Sequence, residues 1–215
     1  MSWRKIHIFG IVSLTIIVAI GFLVPQNLKM PVVGADTNSY NHETFWHEGW
    51  GTSIVHKGVD VFAKRSTRIN SATCGIVLIT DEYGKGGKFV VILGPKWRLH
   101  YYAHLDEIKT KPFTLVSQNS EIGTVGNTGN AATTPAHLHY GIGSLFPYFW
   151  RIDEAPLGWQ KMFYLNPIDF LQENDVSLNI NVYIKKEKLY NLTVPCCNYA
   201  IRNNTFDSNN WACNI

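Results

Sequence analysis

The central part of the chain consists of short β-type runs separated by breaks that contain glycine. Between His56 and about Gly143 lie runs such as GVDVFA, TCGIVLIT and GKFVVILG, which are rich in β-branched and aromatic residues. In the stretch GKFVVILGPKWRLHYYAHL, the break at residues 94–96 separates two such runs and predicts a hairpin. The region is therefore predicted to be all-β, without internal repeats.

The N-terminal region contains one long apolar run. Residues 8–24 number seventeen, carry no charge and follow Arg4 and Lys5. A helix of that length extends about 25 Å, close to the lower limit for crossing a bilayer. We interpret it as an uncleaved membrane anchor, with the rest of the chain exported. A secretory signal cleaved near residues 33–35 is the alternative. A buried core helix is disfavoured because no amphipathic stripe breaks the run.

The charge and composition exclude several classes of protein. Nineteen Lys and Arg against sixteen Asp and Glu give a net charge of +3, which is too small and too dispersed for a nucleic-acid partner. Hydrophobic residues make up 46% of the chain and charged residues 16%, against roughly 25% charged in globular chains. A disordered or coiled-coil protein is thereby excluded.

These features divide the chain into four predicted parts. Residues 1–28 form the anchor or signal segment, and residues 29–54 are a turn-rich linker that enters the domain. Residues 55–172 form the main domain, which contains an aromatic-rich insertion at residues 144–165 and ends in the helix-compatible run IDFLQEN. Residues 173–215 are predicted to form a small β-rich appendage that contains cysteines.

The aromatic-rich insertion has two interpretations. Its aromatic side chains either fill the core and cover a sheet edge, or form a wall beside a binding groove. The first is favoured because aromatic residues carry much of the burial in protein cores. The residues concerned are Phe146, Tyr148, Phe149, Trp150, Trp159, Phe163 and Tyr164.

The cysteines suggest a disulfide in the appendage, because the region is predicted to be exported. Cys213 paired with either Cys196 or Cys197 would close a loop of about fifteen residues, worth on the order of 3 kcal/mol. The spacing of these cysteines does not fit a structural zinc site. Cys74 lies in a strand-like run and is expected to be a buried thiol.

Histidine and aspartate recur at spacings that place side chains on one face of a strand. His56 and Asp60 are four residues apart, and His137 and His139 are two apart. Both offsets are even, so in an extended chain the paired side chains face the same way and the intervening apolar residues face the core. His104 ends a third run, WRLHYYAHL. Each pattern alone is weak evidence, whereas their joint occurrence is informative.

These residue types together fit a catalytic zinc site. Such a site uses three protein ligands, commonly His and carboxylate, and keeps a fourth position for water. His56, Asp60 and one histidine of the pair His137 and His139 provide that set. The site would stay cationic, which lowers the pKa of a bound water and polarises a peptide carbonyl. Two histidines then remain for proton transfer and for stabilising an oxyanion.

Three motifs, HKGVD, YYAHL and GNTGNAATTPAHLHYGI, resemble in order and spacing those of the lysostaphin/LytM-type zinc metallopeptidases. That family cleaves the peptide stems or cross-bridges of bacterial peptidoglycan by means of a metal-activated water. The resemblance implies a small antiparallel β-sandwich that holds one Zn²⁺ per chain. It implies His56, Asp60 and His139 as the zinc ligands, and His104 and His137 as the catalytic histidines.

The resemblance also implies a setting for the protein. We expect a zinc metalloendopeptidase in the bacterial cell envelope, anchored to the inner membrane with its catalytic domain exported. Its expected partners are a peptidoglycan peptide as substrate and the membrane, through the N-terminal helix, and an envelope regulator is a candidate partner. The alternative is a non-catalytic domain of the same fold that binds peptidoglycan or activates an amidase.

Other residues near these motifs carry weaker predictions. His100 and Tyr102 share a strand face with His104 by the period of two, which predicts either a groove residue or ordinary cross-strand packing. The turn at residues 126–130 resembles the glycine-rich turn of the family, which implies positive φ angles and a close approach to the substrate.

The segment that precedes the HKGVD motif carries a further hypothesis. His42, Trp46 and His47 lie upstream of His56 and could cover the zinc as a latency segment. The more ordinary interpretation is that these loop histidines are solvated.

Overall fold

The computed structural model of the chain describes residues 3–50 and 53–173. The predicted appendage therefore lies outside the described residues, except for its first residue. The same holds for the disulfide predicted between Cys213 and either Cys196 or Cys197.

The chain begins with a single long helix, α1, which spans Trp3–Leu23. Its window Ile6–Leu23 has 18 residues and a mean hydropathy of 2.5, enough by length and composition to cross a membrane. None of this window is buried in the protein, so the core-helix interpretation is wrong. The anchor and the signal sequence both remain compatible with the exposed apolar surface.

Nine strands and a short helix follow among the described residues. The strands are β1 (Val59–Phe62), β2 (Arg68–Asn70), β3 (Gly75–Tyr83), β4 (Gly87–Gly94), β5 (Arg98–Ile108), β6 (Leu115–Val116), β7 (Glu121–Val125), β8 (His137–Ser144) and β9 (Tyr164–Leu165), and the helix is α2 (Pro167–Glu173). The run IDFLQEN thus forms the short helix that it predicts. Cys74, expected to be buried, precedes β3 and is half-buried.

All strand pairs are antiparallel, in the order β1-β8-β5-β4-β3-β6. A second branch of the sheet starts at β5. The C-terminal end of β5 pairs with β7, and β7 pairs with β2. Side chains from both branches, such as Ile69, Ile92 and Ile122, belong to one buried cluster, as expected of a sandwich. The predicted antiparallel β fold is confirmed. The β4–β5 hairpin is also confirmed, with Gly94 opposite Arg98.

The segment predicted to be a linker packs against the domain. The backbone amide of Lys29 donates to the Ala72 carbonyl at 3.0 Å, and the backbone amide of Val33 donates to the Arg68 carbonyl at 3.1 Å. Val32 forms an isolated bridge with Ile69 and is buried. These contacts place the start of the predicted linker and domain entry against the domain itself. Its buried residues are separated by turns, so they produce no regular period in the sequence.

Strand β5 changes its partner at His104. Residues up to Ala103 pair with β8, whereas Leu105 pairs with β7. His104 itself has a φ of 63°, a left-handed conformation that is uncommon outside glycine. This irregularity reverses the alternation of side chains, so His100 and Tyr102 do not share a face with His104. Both are fully buried in the core, and the prediction that they share its face is wrong.

The buried His100 makes stability depend on pH. Its Nδ1 lies 2.8 Å from the Tyr140 hydroxyl oxygen and its Nε2 lies 2.9 Å from Gln26 Nε2. Burial, assisted by the nearby Arg98 guanidinium, lowers the pKa of His100 from 6.5 to about 3. Between these pH values the unfolded chain binds a proton that the folded chain does not. The free energy of unfolding therefore falls as the pH falls through this window.

We expect His100→Gln to reduce the pH dependence of stability below pH 6.5, the ordinary pKa of this group. The group alone contributes a slope of about 1.4 kcal/mol per pH unit, which the variant loses. Urea unfolding of the full chain in detergent, at pH 7 and pH 5, measures the slope. His42→Gln, at an exposed histidine, is the matched control. Equal slopes in His100→Gln and wild type would contradict the prediction.

Candidate metal centre

Three side chains from two neighbouring strand regions converge on one point. His139 Nδ1 lies 2.9 Å from Asp60 Oδ1, and His56 Nε2 lies 3.1 Å from the same oxygen. The two imidazole nitrogens are 3.0 Å apart. These atoms form a group that could hold a metal ion, so the structure brings together three of the five residues that the motifs single out.

The pairing of β1 with β8 builds this cluster. Asp60 lies directly opposite His139, so their side chains leave the sheet on the same face. The neighbouring Val59, Val61 and Leu138 are fully buried on the other face, as the alternation predicts. His56 precedes β1, and its backbone carbonyl accepts a hydrogen bond from the amide of Trp46 at 2.7 Å, which ties the segment that carries it to the upstream chain.

The hydrogen bonds of His56 indicate that the cluster suits a cation. Its Nδ1 lies 3.1 Å from the Thr44 carbonyl, which can only accept, so Nδ1 carries the proton. In the neutral imidazole, Nε2 then points a lone pair at a carboxylate oxygen of Asp60. Two acceptors at this distance repel each other unless a proton or a cation lies between them. Imidazole nitrogen and carboxylate oxygen are ligands that zinc uses, so the donor set fits that ion.

The electrostatics favour the protonation states that metal ligands need. Burial alone would raise the pKa of Asp60, but the neighbouring His139 and His56 more than offset this and hold it well below its usual range. Burial lowers the pKa of His139, against the opposing attraction of Asp60. An ionised carboxylate beside a neutral imidazole is the state that binds a metal.

The two remaining histidines flank this cluster. The Nδ1–H of His104 donates to the Thr128 carbonyl at 2.9 Å, and that of His137 donates to the Pro135 carbonyl at 2.7 Å. His137 Nε2 lies 3.8 Å from Asp60 Oδ2. Each neutral ring therefore keeps a lone pair on Nε2, which is suited to accept a proton.

His104 lies close to both other imidazoles of the groove. Its ring centroid is 5.1 Å from that of His137 and 5.9 Å from that of His139. Burial, followed by the charges of His139 and His137, lowers the pKa of His104 to about 4. The left-handed backbone conformation of His104 turns its side chain into the groove. A regular alternation along β5 would instead turn it into the core.

The glycine-rich turn orients His104, a role that the motif did not reveal. Thr128 supplies the carbonyl that fixes the imidazole, and its own hydroxyl donates to the Leu105 carbonyl at 2.9 Å. Gly129 has a φ of 68°, in line with the positive angles expected for this turn. Asn130 lines the groove. Sequence alone gives little signal for Thr128, because a backbone carbonyl is common to all residue types.

The upstream segment reaches the cluster through Trp50, which sequence analysis missed. The Trp50 ring stacks on His56, with ring centroids 4.3 Å apart and an interplanar angle of 19°. His42 Nε2 contacts the Thr37 carbonyl, and His47 Nδ1 contacts the Glu48 carbonyl.

Trp46 is the third residue of the latency hypothesis, and it is held outside the cluster. It is buried, and its indole N–H donates to the Pro156 carbonyl at 3.1 Å. The hydrogen bonds of Trp46 and of both upstream histidines therefore lead away from the metal ligands. None of the three residues named in the latency hypothesis lines the groove, whereas Trp50 does.

The cluster lies in a groove of about 1140 Å³. Tyr101 and Ala103 of β5 contribute to its lining, as do Phe163 and Tyr164 from the end of the aromatic insertion. Strand β9, which contains Tyr164, covers the edge of β8. Both interpretations of the insertion therefore apply to parts of it. Phe149, Trp150 and Trp159 are exposed, so these three fill no core.

Comparison with known proteins agrees with this geometry. Residues 54–145, which include all five histidine and aspartate residues described above, match the description "Peptidase family M23". This segment is an M23 domain. The recognition of a lysostaphin/LytM-type peptidase from three short motifs is thereby confirmed.

Relatives of the M23 domain include two proteins named as endopeptidases. The chain is 30% identical over 112 residues to the L-Ala–D-Glu endopeptidase of Bacillus subtilis, covering 48% of this chain and 34% of that protein. It is 34% identical over 85 residues to the peptidoglycan DD-endopeptidase ShyA of Vibrio cholerae, covering 40% and 19%. The chain thus spans about a third of the first relative and about a fifth of the second.

A solved structure supports the fold of the M23 domain. The catalytic domain of the antimicrobial peptidase lysostaphin from Staphylococcus simulans superposes with a TM-score of 0.50 at 23% identity. The alignment covers 63% of this chain and 94% of that domain. At this identity the likeness concerns the fold.

Gly58, the middle residue of HKGVD, leaves room for the ring of His139. A Cβ atom at this position would lie 2.5 Å from the Tyr140 carbonyl oxygen and 2.9 Å from His139 Nε2. We expect Gly58→Ala to lower the free energy of unfolding by about 1–3 kcal/mol and to displace the His139 ring. Urea unfolding and the imidazole NMR signals of His139 measure the two effects.

Gly143→Ala is the matched control, because its Cβ would meet Leu99 Cβ at an ordinary 3.7 Å. We expect this variant to leave the His139 signals in place. A Gly58→Ala protein with unchanged stability and unchanged His139 signals would show that the ring does not need this space.

Proposed function

We propose that this M23 domain is a zinc-dependent endopeptidase that hydrolyses peptides of bacterial peptidoglycan. One observation carries the proposal: His56 Nε2, Asp60 Oδ1 and His139 Nδ1 lie within 3.1 Å of one another in a groove that also contains two further histidines. The two relatives named above, both called endopeptidases, support the choice of reaction.

The chain's own residues would hold the metal ion. His56, Asp60 and His139 are its proposed ligands, and each imidazole offers a nitrogen that is not engaged by a backbone carbonyl. When bound, one zinc ion supplies a Lewis acid that polarises the scissile carbonyl and acidifies water. The hydrogen bond from His56 to the Thr44 carbonyl fixes the ring in the tautomer that this role needs.

His137 and His104 are the proposed proton-transfer residues. Each donates Nδ1–H to a backbone carbonyl, so each can accept a proton on Nε2 and later return it. Peptide hydrolysis needs an acceptor for a proton of the attacking water, and a donor to the carbonyl oxygen or the departing amine. The two imidazoles provide both functions without a further side chain.

We also propose that α1 anchors the domain to the inner membrane of a bacterial cell, with the M23 domain on the exported side. The exposed apolar window Ile6–Leu23 supports this location. Peptidoglycan lies on that side of the membrane, so the substrate and the anchor are consistent with each other. Control of the activity by an envelope regulator remains a prediction.

Metal analysis of the full chain, purified in detergent, tests the ligand set. We expect about one zinc per chain, lost in His56→Ala and in Asp60→Ala. His104→Ala is the control that retains zinc, because His104 donates to Thr128 and is not a proposed ligand. A wild-type protein without zinc after refolding in excess zinc would overturn the proposed centre.

Digestion of purified peptidoglycan sacculi tests the reaction. We expect wild type to release peptide fragments, identified by mass spectrometry, and His137→Ala to release them about 10²–10⁴-fold more slowly while it keeps its zinc. Zinc-loaded wild type that binds sacculi without releasing fragments would favour the non-catalytic alternative. Equal rates for wild type and His137→Ala would remove His137 from the mechanism.

A further inference from the structure

The charges around the groove are unbalanced. Lys57 lines it, and Asp60 is the single carboxylate among the described residues of its lining. That carboxylate is already engaged by His56 and His139. A divalent ion at the cluster would make the groove more positive still. The field therefore attracts an anionic ligand.

Lys57 directly follows the proposed metal ligand His56 in the sequence. Its side chain is half-buried, and its Nζ donates to Gln160 Oε1 at 2.5 Å. The same Nζ lies 5.2 Å from the centroid of the Tyr164 ring. Both contacts are with neutral groups, so they hold the ammonium in place without neutralising its charge.

Some other cations of the described chain form ion pairs with carboxylates. Three such pairs are Arg65 with Asp106, Lys109 with Glu121 and Lys161 with Asp153. No ion pair found among residues 3–50 and 53–173 includes Lys57. An ammonium group has three N–H donors, of which Gln160 takes one. A half-buried ammonium with remaining donors and an uncompensated charge is suited to bind an anion.

We propose that Lys57, held by Gln160 and Tyr164, forms a carboxylate-binding subsite beside the metal centre. The substrate is accordingly an acidic peptide with a free carboxylate close to the scissile amide, and not a neutral glycine-rich bridge. The identity of the reaction rests on the proposed function, whereas the subsite rests on the contacts of Lys57.

The experiment compares two peptides that differ in one carboxyl group. The first is the stem peptide L-Ala-γ-D-Glu-L-Lys-D-Ala-D-Ala, in which the γ-carboxyl of the D-glutamate forms the amide with lysine and its α-carboxyl is free. The second carries a carboxamide at that carboxyl and is otherwise identical. NMR titration measures their Kd for the zinc-loaded full chain in detergent, in a His137→Ala background that prevents cleavage during the measurement.

We expect the acidic peptide to bind about tenfold more tightly than the amidated one, because a charge-assisted hydrogen bond is lost. Adding Lys57→Met removes this ratio, and adding Lys57→Arg retains most of it. Lys109→Met is the control for loss of a positive charge away from the groove, and it leaves the ratio unchanged. A role of Lys57 confined to holding Gln160 would change both affinities alike and leave the ratio intact.

Three outcomes overturn the subsite: equal affinities in the presence of Lys57, a ratio that persists in Lys57→Met, or no binding of either peptide. The fate of the proposed function is decided separately by sacculus digestion with the wild-type chain. A carboxylate preference without release of fragments supports the subsite and rejects the hydrolase. Release of fragments from sacculi, combined with equal affinities for the two peptides, supports the hydrolase and rejects the subsite.

Discussion

The antiparallel pairing of β1 with β8 is the interaction on which the rest of the site depends. It sets Asp60 opposite His139 and turns both side chains into the groove, while Val59, Val61 and Leu138 face the core. A shift of the register by one residue would exchange the two faces, burying the polar groups and exposing the apolar ones. The burial of these apolar side chains thus enforces the geometry of the candidate metal centre.

Much of this arrangement can be predicted from sequence because it follows local periodicity. Even spacings in HKGVD and HLH assign side chains to a face, and the break after GKFVVILG indicates the hairpin. The same rule fails in β5, where it groups His100 with His104. The failure has a single cause, the left-handed backbone at His104, which lies where the strand exchanges one partner for another. Histidine is enriched in that conformation among non-glycine residues, but this preference is too weak to identify His104 in YYAHL.

The groups that orient the imidazoles escape sequence analysis for a different reason. His56, His104 and His137 each donate to a backbone carbonyl, from Thr44, Thr128 and Pro135 respectively. Side-chain identity does not encode which carbonyl reaches which ring. For His56 and His104 this depends on how separate loops pack, whereas the Pro135 carbonyl lies only two residues before His137. The contact of Lys57 with Gln160 likewise joins segments far apart in the chain. Sequence therefore predicts the candidate reactive side chains better than it predicts the groups that orient them.

The packing of the chain directly after α1 limits how far the domain can travel. Helix α1 ends at Leu23, and Leu28 is already buried in the domain. The five residue steps from Leu23 to Leu28 span at most about 18 Å when the chain is fully extended. If α1 lies in a bilayer, as proposed, this short connection keeps the domain next to the membrane surface. Its groove would then reach only substrates close to that surface.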